Sequence, residues 1–284
     1  MLSSLTTLHR GAPVQEPFDA AVVMTTTCRP SLVRAVSSVF RQVGVRRIQV
    51  LIGIDVVRGD PAVIDEIEAL RPPGHAVTVF NLGYSTSVRH GGIHPAGDGG
   101  SLRTILTYAA NSRFVAYLDD DNWLHETHIA RLLAAAVGKD WAYTLRWFVD
   151  PDTLQPLAVD RWESAGPGQG AFAERFGGFV DPNCLMIDKL KCDFAIRGWA
   201  LPMSADARAR TADRTVFDGL RRLPAVGFTN AVTTYYVLAP VDDNSIYRLS
   251  WMREYRRYYG EAAVELGAQP PIYGGPFAAA PSAI

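Results

Sequence analysis

The chain has 284 residues, of which 48% are hydrophobic, and this is enough to bury the core of one large domain. Its 28 Lys and Arg residues nearly balance 29 Asp and Glu residues, so no net charge attracts nucleic acid over a distance. Residues 1–17 lack the apolar core of a signal peptide, and no segment reaches the roughly 20 apolar residues that span a bilayer. We therefore expect a cytoplasmic protein that has no transmembrane segment and does not bind nucleic acid.

Short apolar runs alternate with helical patterns through the first half of the chain. The predicted strands are 20–25, 48–55, 77–81 and 114–119, and the predicted helices are 32–43, 62–70, 101–110 and 125–137. Strands that alternate with helices predict a mostly parallel, Rossmann-like α/β sheet flanked by helices. In such sheets ligands bind beyond the carboxyl ends of the strands, so the loops that follow the strands are the candidate site.

Three consecutive aspartates, Asp119, Asp120 and Asp121, follow the apolar run 114–118 directly. We call them the acidic turn. One or two carboxylates at such a position can bind Mn²⁺ or Mg²⁺ together with the oxygens of a diphosphate. Two other interpretations are helix capping and a solvated turn, because an Asp-x-Asp pattern is common by chance. The chain supplies its own comparison in Asp150-Pro-Asp152, which lies among turn residues.

Several separated segments resemble family 2 glycosyltransferases, which have the GT-A fold, and they follow in the order of that family. Residues 21–30 are similar to its first strand and loop, and residues 49–55 to its second strand with a terminal acid. Residues 81–83, with Arg89 and Gly91-Gly92, resemble its Asn-x-Gly and Arg-Asn-x-Gly stretch. Residues 117–124 (YLDDDNWL) resemble its Asp-x-Asp signature. The resemblance covers about residues 18–135 and implies a nucleotide-sugar-dependent enzyme.

The resemblance also implies roles for individual residues. Thr26 would line the uracil or guanine pocket, Asp55 would bind the base or ribose, and Arg89 would lie near the base or diphosphate. Asp119 would contact the ribose or the water shell of the metal, and Asp121 would bind the metal directly, with Asp120 as the spacer between them. Each has a structural alternative: Thr26 and Asp55 could cap turns, and Arg89 could pair with a nearby acid.

The catalytic base of the family is usually the last acid of a Glu-Asp pair that opens a helix. The best match is Asp213 in the segment 211–220, although Ala212 stands where the family often has Glu. Asp213 could instead be the acid that a helix dipole favours. Other acids that could act as the base are Asp206, Asp181 and Glu163.

The second half of the sequence is less regular, and we expect it to bind the acceptor. The predicted division is a tail at 1–17, a nucleotide-sugar-binding half at 18–125, an acceptor-binding half of the same domain at 126–244, and a C-terminal helix and tail at 245–284. Aromatic platforms for a sugar ring could come from Trp162, Trp199 and Phe179, although core packing explains such residues equally well. The aromatic and basic helix 246–259 could cover the core, form a homodimer contact, or touch a membrane surface peripherally.

The expected function is transfer of a sugar from a nucleoside-diphosphate sugar, with UDP favoured over GDP, to a hydroxyl of a glycan, lipid-linked or small-molecule acceptor. The resemblance implies inversion at the anomeric carbon and a metal that assists departure of the diphosphate. One alternative is a catalytically silent relative that binds nucleotide or glycan. A sugar-nucleotide nucleotidyltransferase is disfavoured, because the loop 26–30 has no glycine to hold a triphosphate. A metal site at His90, His94 and Asp98 is disfavoured, because Gly and Pro there leave the ligands unordered.

Overall fold

The structure is a computed structural model and describes residues 6–11, 16–94, 99–201 and 212–238. Its strands are β1 (Thr6–Gly11), β2 (Ala20–Thr26), β3 (Ile48–Ile54), β4 (Ala76–Asn81), β5 (Phe114–Tyr117), β6 (Trp123–Leu124), β7 (Trp141–Val149), β8 (Pro156–Val159), β9 (Gly166–Pro167), β10 (Gly178–Phe179), β11 (Leu185–Asp188) and β12 (Val226–Val237). Its α-helices are α1 (Ser31–Phe40), α2 (Val63–Leu70), α3 (Gly100–Ala109), α4 (His128–Ala135), α5 (Ala173–Phe176), α6 (Asp193–Ile196) and α7 (Ala212–Leu220).

One sheet runs through both halves of the sequence. Its strand order is β1-β4-β3-β2-β5-β11-β7-β12-β6, and β8 pairs with β7. The four strands β4, β3, β2 and β5 are parallel, as the alternation of strands and helices predicts. Beyond β5 the directions are mixed, because β11 is antiparallel to both β5 and β7 whereas β12 is parallel to β7. The start of β11 therefore lies beside the end of β5.

The sheet is covered on both faces, which explains why its central strands read as continuous apolar runs. Along β2, Ala20, Val22 and Met24 face a core formed with α1, α2 and α4. The intervening Ala21 and Val23 face a second core formed with α3, α6 and α7. All five of these side chains are fully buried, which fixes the register of the strands against each other. This rigid centre holds the loops at its carboxyl end.

The predicted elements of the first half are confirmed to within a few residues at their ends. One difference lies in the predicted tail at 1–17, because Thr6–Gly11 form an edge strand that pairs antiparallel with β4. The segment 6–11 contains no apolar run, because an edge strand pairs on one side only and need not be buried on both faces. The predicted helix 246–259, the tail after it, and Asp206 and Asp98 lie outside the described residues.

Candidate functional site

The acidic turn lies where β5 ends, between two neighbouring strands that supply its partners. The parallel pairing of β2 with β5 places Val23 opposite Tyr117, and the same register continued past the end of β5 brings Thr26, the last residue of β2, opposite Asp120. On the other side, the antiparallel pairing of β11 with β5 places Met186 opposite Ala116, and its continuation brings Asn183 opposite Asp119. The positions of these four residues thus follow from sheet register.

Asp119 is held from two directions. One carboxylate oxygen, Oδ1, pairs with the guanidinium of Arg103 on α3, and the other accepts a hydrogen bond of 2.7 Å from Nδ2 of Asn183. The backbone N–H of Asp119 donates to Oδ1 of Asn183, also at 2.7 Å. The side chain of Asp119 is still 31% exposed. A fixed but partly exposed carboxylate is suited to accept a hydrogen bond from a ligand hydroxyl.

Asp120 does more than separate its neighbours, so the expectation of a simple spacer is wrong. It is 2% exposed, and its Oδ2 accepts a hydrogen bond of 2.6 Å from the hydroxyl of Thr26. Its Oδ1 pairs with the guanidinium of Arg29, which belongs to the loop after β2. Asp120 therefore ties the acidic turn to that loop. The Thr26 hydroxyl is used for this contact and also accepts from the backbone N–H of Cys28, and its role toward a base stays a prediction.

Asp121 is the most exposed carboxylate of the turn, with 39% of its side chain accessible. Its backbone carbonyl accepts a hydrogen bond of 2.6 Å from Nη2 of Arg34, and the Arg34 guanidinium stacks on Trp123 at 4.7 Å. Burial, and then the charge of Asp119, raise the pKa of Asp121 to about 6, although Arg29 acts in the opposite direction. A carboxylate with a raised pKa lacks compensation for its charge, and a cation would supply it.

Asp55 follows β3 at the same end of the sheet and is buried. Its backbone N–H donates to the carbonyl of Thr26, and its Oδ1 accepts a hydrogen bond of 2.7 Å from the hydroxyl of Ser85. Nε2 of His90 lies 3.9 Å from its Oδ2. Thr26 and Asp55, the two residues predicted to bind the nucleoside, therefore lie side by side at the ends of β2 and β3. Asp55 is one strand further from the acidic turn than Thr26.

Arg103 on α3 reaches the acidic turn, whereas the resemblance implies that Arg89 lies near the base or diphosphate. Arg89 is exposed in the short turn Val88–His90, where its backbone N–H donates to Ser87. Arg103 is one turn into α3, and its guanidinium contacts Asp119 and lies 5.3 Å from the ring centre of Trp199. The role of Arg89 toward a nucleotide stays a prediction, and Arg103 is a site residue that sequence reasoning missed.

Asp213 lies in the first turn of α7, and its pKa is affected by Arg103, the same arginine that contacts Asp119 of the acidic turn. Burial raises its pKa to about 6, and the charge of Asp181 adds to this, while Arg214 and Arg103 lower it. Its Oδ1 accepts a hydrogen bond of 2.8 Å from the backbone N–H of Arg214. Arg103 thus influences Asp213 and contacts Asp119, which places the expected base on the same side of the sheet as the expected donor site.

The two other described acids considered as bases, Asp181 and Glu163, are held in a buried ion cluster. Its centre is Arg146 on β7, whose Nη2 lies 2.9 Å from Oε2 of Glu163 and whose Nε lies 2.8 Å from Oδ2 of Asp160. Nη1 of Arg146 pairs with Asp181. The acids keep the pKa of Arg146 well above its usual range. Because these carboxylates neutralise Arg146, Asp213 is the better candidate for a base among the described acids.

Of the three predicted aromatic platforms, two are core residues. Trp199 is fully buried against Tyr117, with ring centres 4.9 Å apart, and Phe179 is 6% exposed. Trp162 is half-buried and packs at the edge of a small cluster with Leu238 and Phe148. Trp162 therefore stays a candidate for contact with an acceptor, and core packing accounts for the other two.

The His90, His94 and Asp98 site stays untested, because Asp98 lies outside the described residues. Within the described ranges no group of three or more His, Cys, Asp or Glu side chains is arranged to hold a metal ion. This does not bear on a site that uses one or two carboxylates and completes its coordination with phosphate and water. In the comparison motif, Oδ1 of Asp150 accepts hydrogen bonds from the backbone of Asp152 and Thr153, which lower its pKa, so that motif is an ordinary turn.

No protein-family model and no curated protein matches the amino-acid sequence. The structure is similar to S. aureus TarS 1-349, with a TM-score of 0.55 and 12% identity over 87% of this chain and 70% of that chain. It is also similar to TarS 1-349 in complex with UDP, with a TM-score of 0.52 and 10% identity, and in complex with UDP-GlcNAc, with a TM-score of 0.52 and 11% identity. Both of these matches cover 87% of this chain and 70% of that chain.

The fold is of the GT-A type. The large mixed sheet with its parallel centre and flanking helices matches a GT-A-like glycosyltransferase fold, which confirms the predicted fold class. Because the identity is so low, the likeness establishes the fold and not the activity. None of the helices in the described part of the chain is long and apolar enough to cross a bilayer.

Proposed function

We propose that this protein is a glycosyltransferase that moves a sugar from a nucleoside-diphosphate sugar to an acceptor hydroxyl, with inversion and with help from Mn²⁺ or Mg²⁺. The observation that carries the proposal is the acidic turn. It lies at the carboxyl end of the parallel strands, and it presents Asp121 and Asp119 partly exposed while Asp120 is buried. The GT-A-like fold supports a glycosyltransferase, and the UDP and UDP-GlcNAc complexes of the similar TarS structures support a UDP-sugar as the donor.

The residues of the turn fit a hard divalent cation. Asp121 would bind it directly, because this carboxylate is the most exposed of the three, and because desolvation and the charge of Asp119 raise its pKa, which a bound cation would offset. Asp119 would bind the ribose or a water molecule of the metal. When bound, the metal would neutralise charge that develops on the departing diphosphate.

The chain's own residues perform the remaining steps. Asp213 accepts the proton of the acceptor hydroxyl, whose oxygen attacks the anomeric carbon from the side opposite the diphosphate. The bond from that carbon to the phosphate oxygen breaks, and the electron pair leaves with the nucleoside diphosphate. Arg29 and Arg103 pair with Asp120 and Asp119, and they would place positive charge beside the departing diphosphate. The pKa of Asp213, raised to about 6, makes it a better base than an ordinary carboxylate.

Metal-dependent nucleotide binding is the first test. We expect UDP to raise the melting temperature only when Mn²⁺ or Mg²⁺ is present, and we expect Asp121→Ala to abolish this effect. Asp152→Ala is the matched control, because it changes the comparison motif, and it should respond to UDP like the wild type. Stabilisation by UDP without any metal would contradict the metal assignment, and stabilisation by GDP alone would contradict the choice of nucleotide.

Turnover separates the enzyme from a second candidate, a silent nucleotide-binding relative, which Ala212 beside Asp213 favours. The enzyme should slowly hydrolyse a UDP-sugar even without an acceptor, and Asp213→Asn should lose this activity while it still binds UDP. Glu174→Gln removes an exposed acid from α5 and serves as the control. Binding without hydrolysis or transfer, across a panel of UDP-sugars and acceptors, would favour the silent relative.

A further inference from the structure

Asn183 is a fully buried residue that belongs to the expected acceptor half and contacts the expected donor half. It lies in a short 3-10 turn, Pro182–Cys184, just before β11. The antiparallel register of β11 and β5 brings it opposite Asp119. Its contacts therefore join the predicted acceptor-binding half to the predicted nucleotide-sugar-binding half at Asp119, the first residue of the acidic turn.

Every polar atom of Asn183 has a partner. Nδ2 donates to Oδ2 of Asp119 and to Oδ1 of Asp181, both at 2.7 Å. Oδ1 accepts from the backbone N–H of Asp119 at 2.7 Å, which fixes the orientation of the amide, because the reversed amide would place two donors together. The backbone N–H of Asn183 donates to Asp181, and its carbonyl accepts from the hydroxyl of Thr234. The side chain has no freedom to turn away from Asp119.

These contacts link the acidic turn to the buried ion cluster of the second half. Asp181, which shares Nδ2 of Asn183 with Asp119, also pairs with Arg146. Arg146 is in turn fixed by Asp160 and Glu163. The orientation of the Asp119 carboxylate is thus set by Asn183 on one oxygen and by Arg103 on the other.

We infer that Asn183 is a positioning residue for nucleotide binding, because it holds the Asp119 carboxylate in the orientation that a nucleoside diphosphate requires. The inference rests on the proposed function, and it predicts an effect of Asn183 on ligand affinity through Asp119 alone. Partners that orient a ligand-binding group typically change affinity or activity by about 10- to 100-fold when they are removed. A residue that served stability only would leave the affinity of the folded protein unchanged.

The test is the affinity for UDP with Mn²⁺, measured by calorimetry well below the melting temperature. We expect Asn183→Ala to bind UDP about 10-fold more weakly than the wild type or worse. Asn183→Asp keeps the shape of the side chain and an acceptor oxygen but loses both donors, so it should weaken binding at least as much. Asp188→Asn is the control, because Asp188 is a buried acid at the other end of β11 that pairs with Arg113. It should lose stability and keep its affinity for UDP.

A double-mutant cycle distinguishes action through Asp119 from a general effect on the fold. In an Asp119→Ala background, the further change Asn183→Ala should have little effect on UDP affinity. Additive losses, or wild-type affinity in both folded Asn183 variants, would overturn the inference while leaving the proposed function intact. If the wild type binds neither UDP nor GDP with any metal, the proposed function fails and the inference fails with it.

Discussion

Nη1 of Arg29 lies 3.3 Å from Oδ2 of Asp121, so the carboxylate expected to bind a metal already faces a cation from the same molecule. The two side chains are 50% and 39% exposed, and water screens their attraction. The same guanidinium also pairs with the buried Asp120. Arg29 therefore pairs closely with Asp120 and more weakly with Asp121. A metal ion that binds Asp121 has to compete only with the weaker of these two ion pairs.

Removal of Arg29 should strengthen binding of the metal alone. In Arg29→Gln, Asp121 loses its competing cation, and an exposed ion pair of this kind is worth roughly 0.2–1 kcal/mol. At pH 8, where Asp121 is ionised, we expect Mn²⁺ to bind about 1.4- to 5-fold more tightly, as measured by electron paramagnetic resonance of free Mn²⁺. Arg113→Gln removes an arginine at the opposite end of the sheet and should not change Mn²⁺ affinity. Weaker Mn²⁺ binding in Arg29→Gln would show that Arg29 supports the metal site.

The raised pKa of Asp121 should make the metal-free protein less stable as the pH rises. Its pKa is about 6 in the folded protein and near 3.8 when unfolded, so the folded state holds the proton more tightly. The stabilisation is present below about pH 4 and is lost as the pH rises through about 6. Because 39% of the side chain is exposed, we expect a loss of only about 1 kcal/mol.

Asp121→Asn should remove this loss, raise the melting temperature at pH 8 by about 2–4 °C, and abolish stabilisation by Mn²⁺ with UDP. A lower melting temperature in metal-free Asp121→Asn would contradict the assignment.

The parts of the fold that the sequence predicts are those with a strong local pattern. The runs 20–25 and 48–55 are apolar because both faces of their strands are buried, and this pattern is visible in one dimension. The position of the acidic turn follows from the end of such a run. The edge strand Thr6–Gly11 has no comparable pattern, and it forms because β4 offers an unpaired edge.

The missed site residues depend on contacts between distant segments. Arg103 and Asn183 meet at Asp119 from α3 and from the turn before β11, and no local pattern joins them. Arg103 left a weaker signal, and so did the ion cluster that Asn183 contacts through Asp181. Arg103 is a lone cation in the first turn of a predicted helix that leads into β5, and Arg146 is the single charged residue in the apolar strand 141–149. An isolated charge in a buried strand requires partners, so it predicts a cluster of acids without saying which ones.

Substitution of Arg146 should lower the free energy of unfolding more than substitution at most other positions. In Arg146→Met, the carboxylates of Asp160, Glu163 and Asp181 stay buried without their shared cation, and the loss of one partner from a buried pair costs about 3–5 kcal/mol. The acids of the variant then have raised pKa values, so its stability is retained at low pH and lost as the pH rises. Urea denaturation should show a smaller difference from the wild type at pH 5 than at pH 8. Arg221→Met removes a surface pair with Asp218 and should cost less than 1 kcal/mol at both values. An equal cost at pH 5 and pH 8 would show that lost packing, and not charge, dominates.

The identity of the base can be read from the pH dependence of transfer. Asp213 has a pKa of about 6, raised first by burial and then by the charge of Asp181, and it must be ionised to accept a proton. With saturating Mn²⁺, which keeps Asp121 ionised, we expect kcat/KM to fall tenfold per pH unit as the pH drops below about 6. In Asp181→Asn the neighbouring charge is absent, so the pKa of Asp213 should fall and the acid limb of the profile should move to lower pH.

Asp213→Asn should reduce kcat by about 100-fold or more, since general base catalysis contributes about 10²–10⁴-fold. The Glu174→Gln control should keep the wild-type profile. If the acid limb moves to higher pH in Asp181→Asn, or persists unchanged in Asp213→Asn, the titrating group is another residue and Asp213 serves only to begin α7.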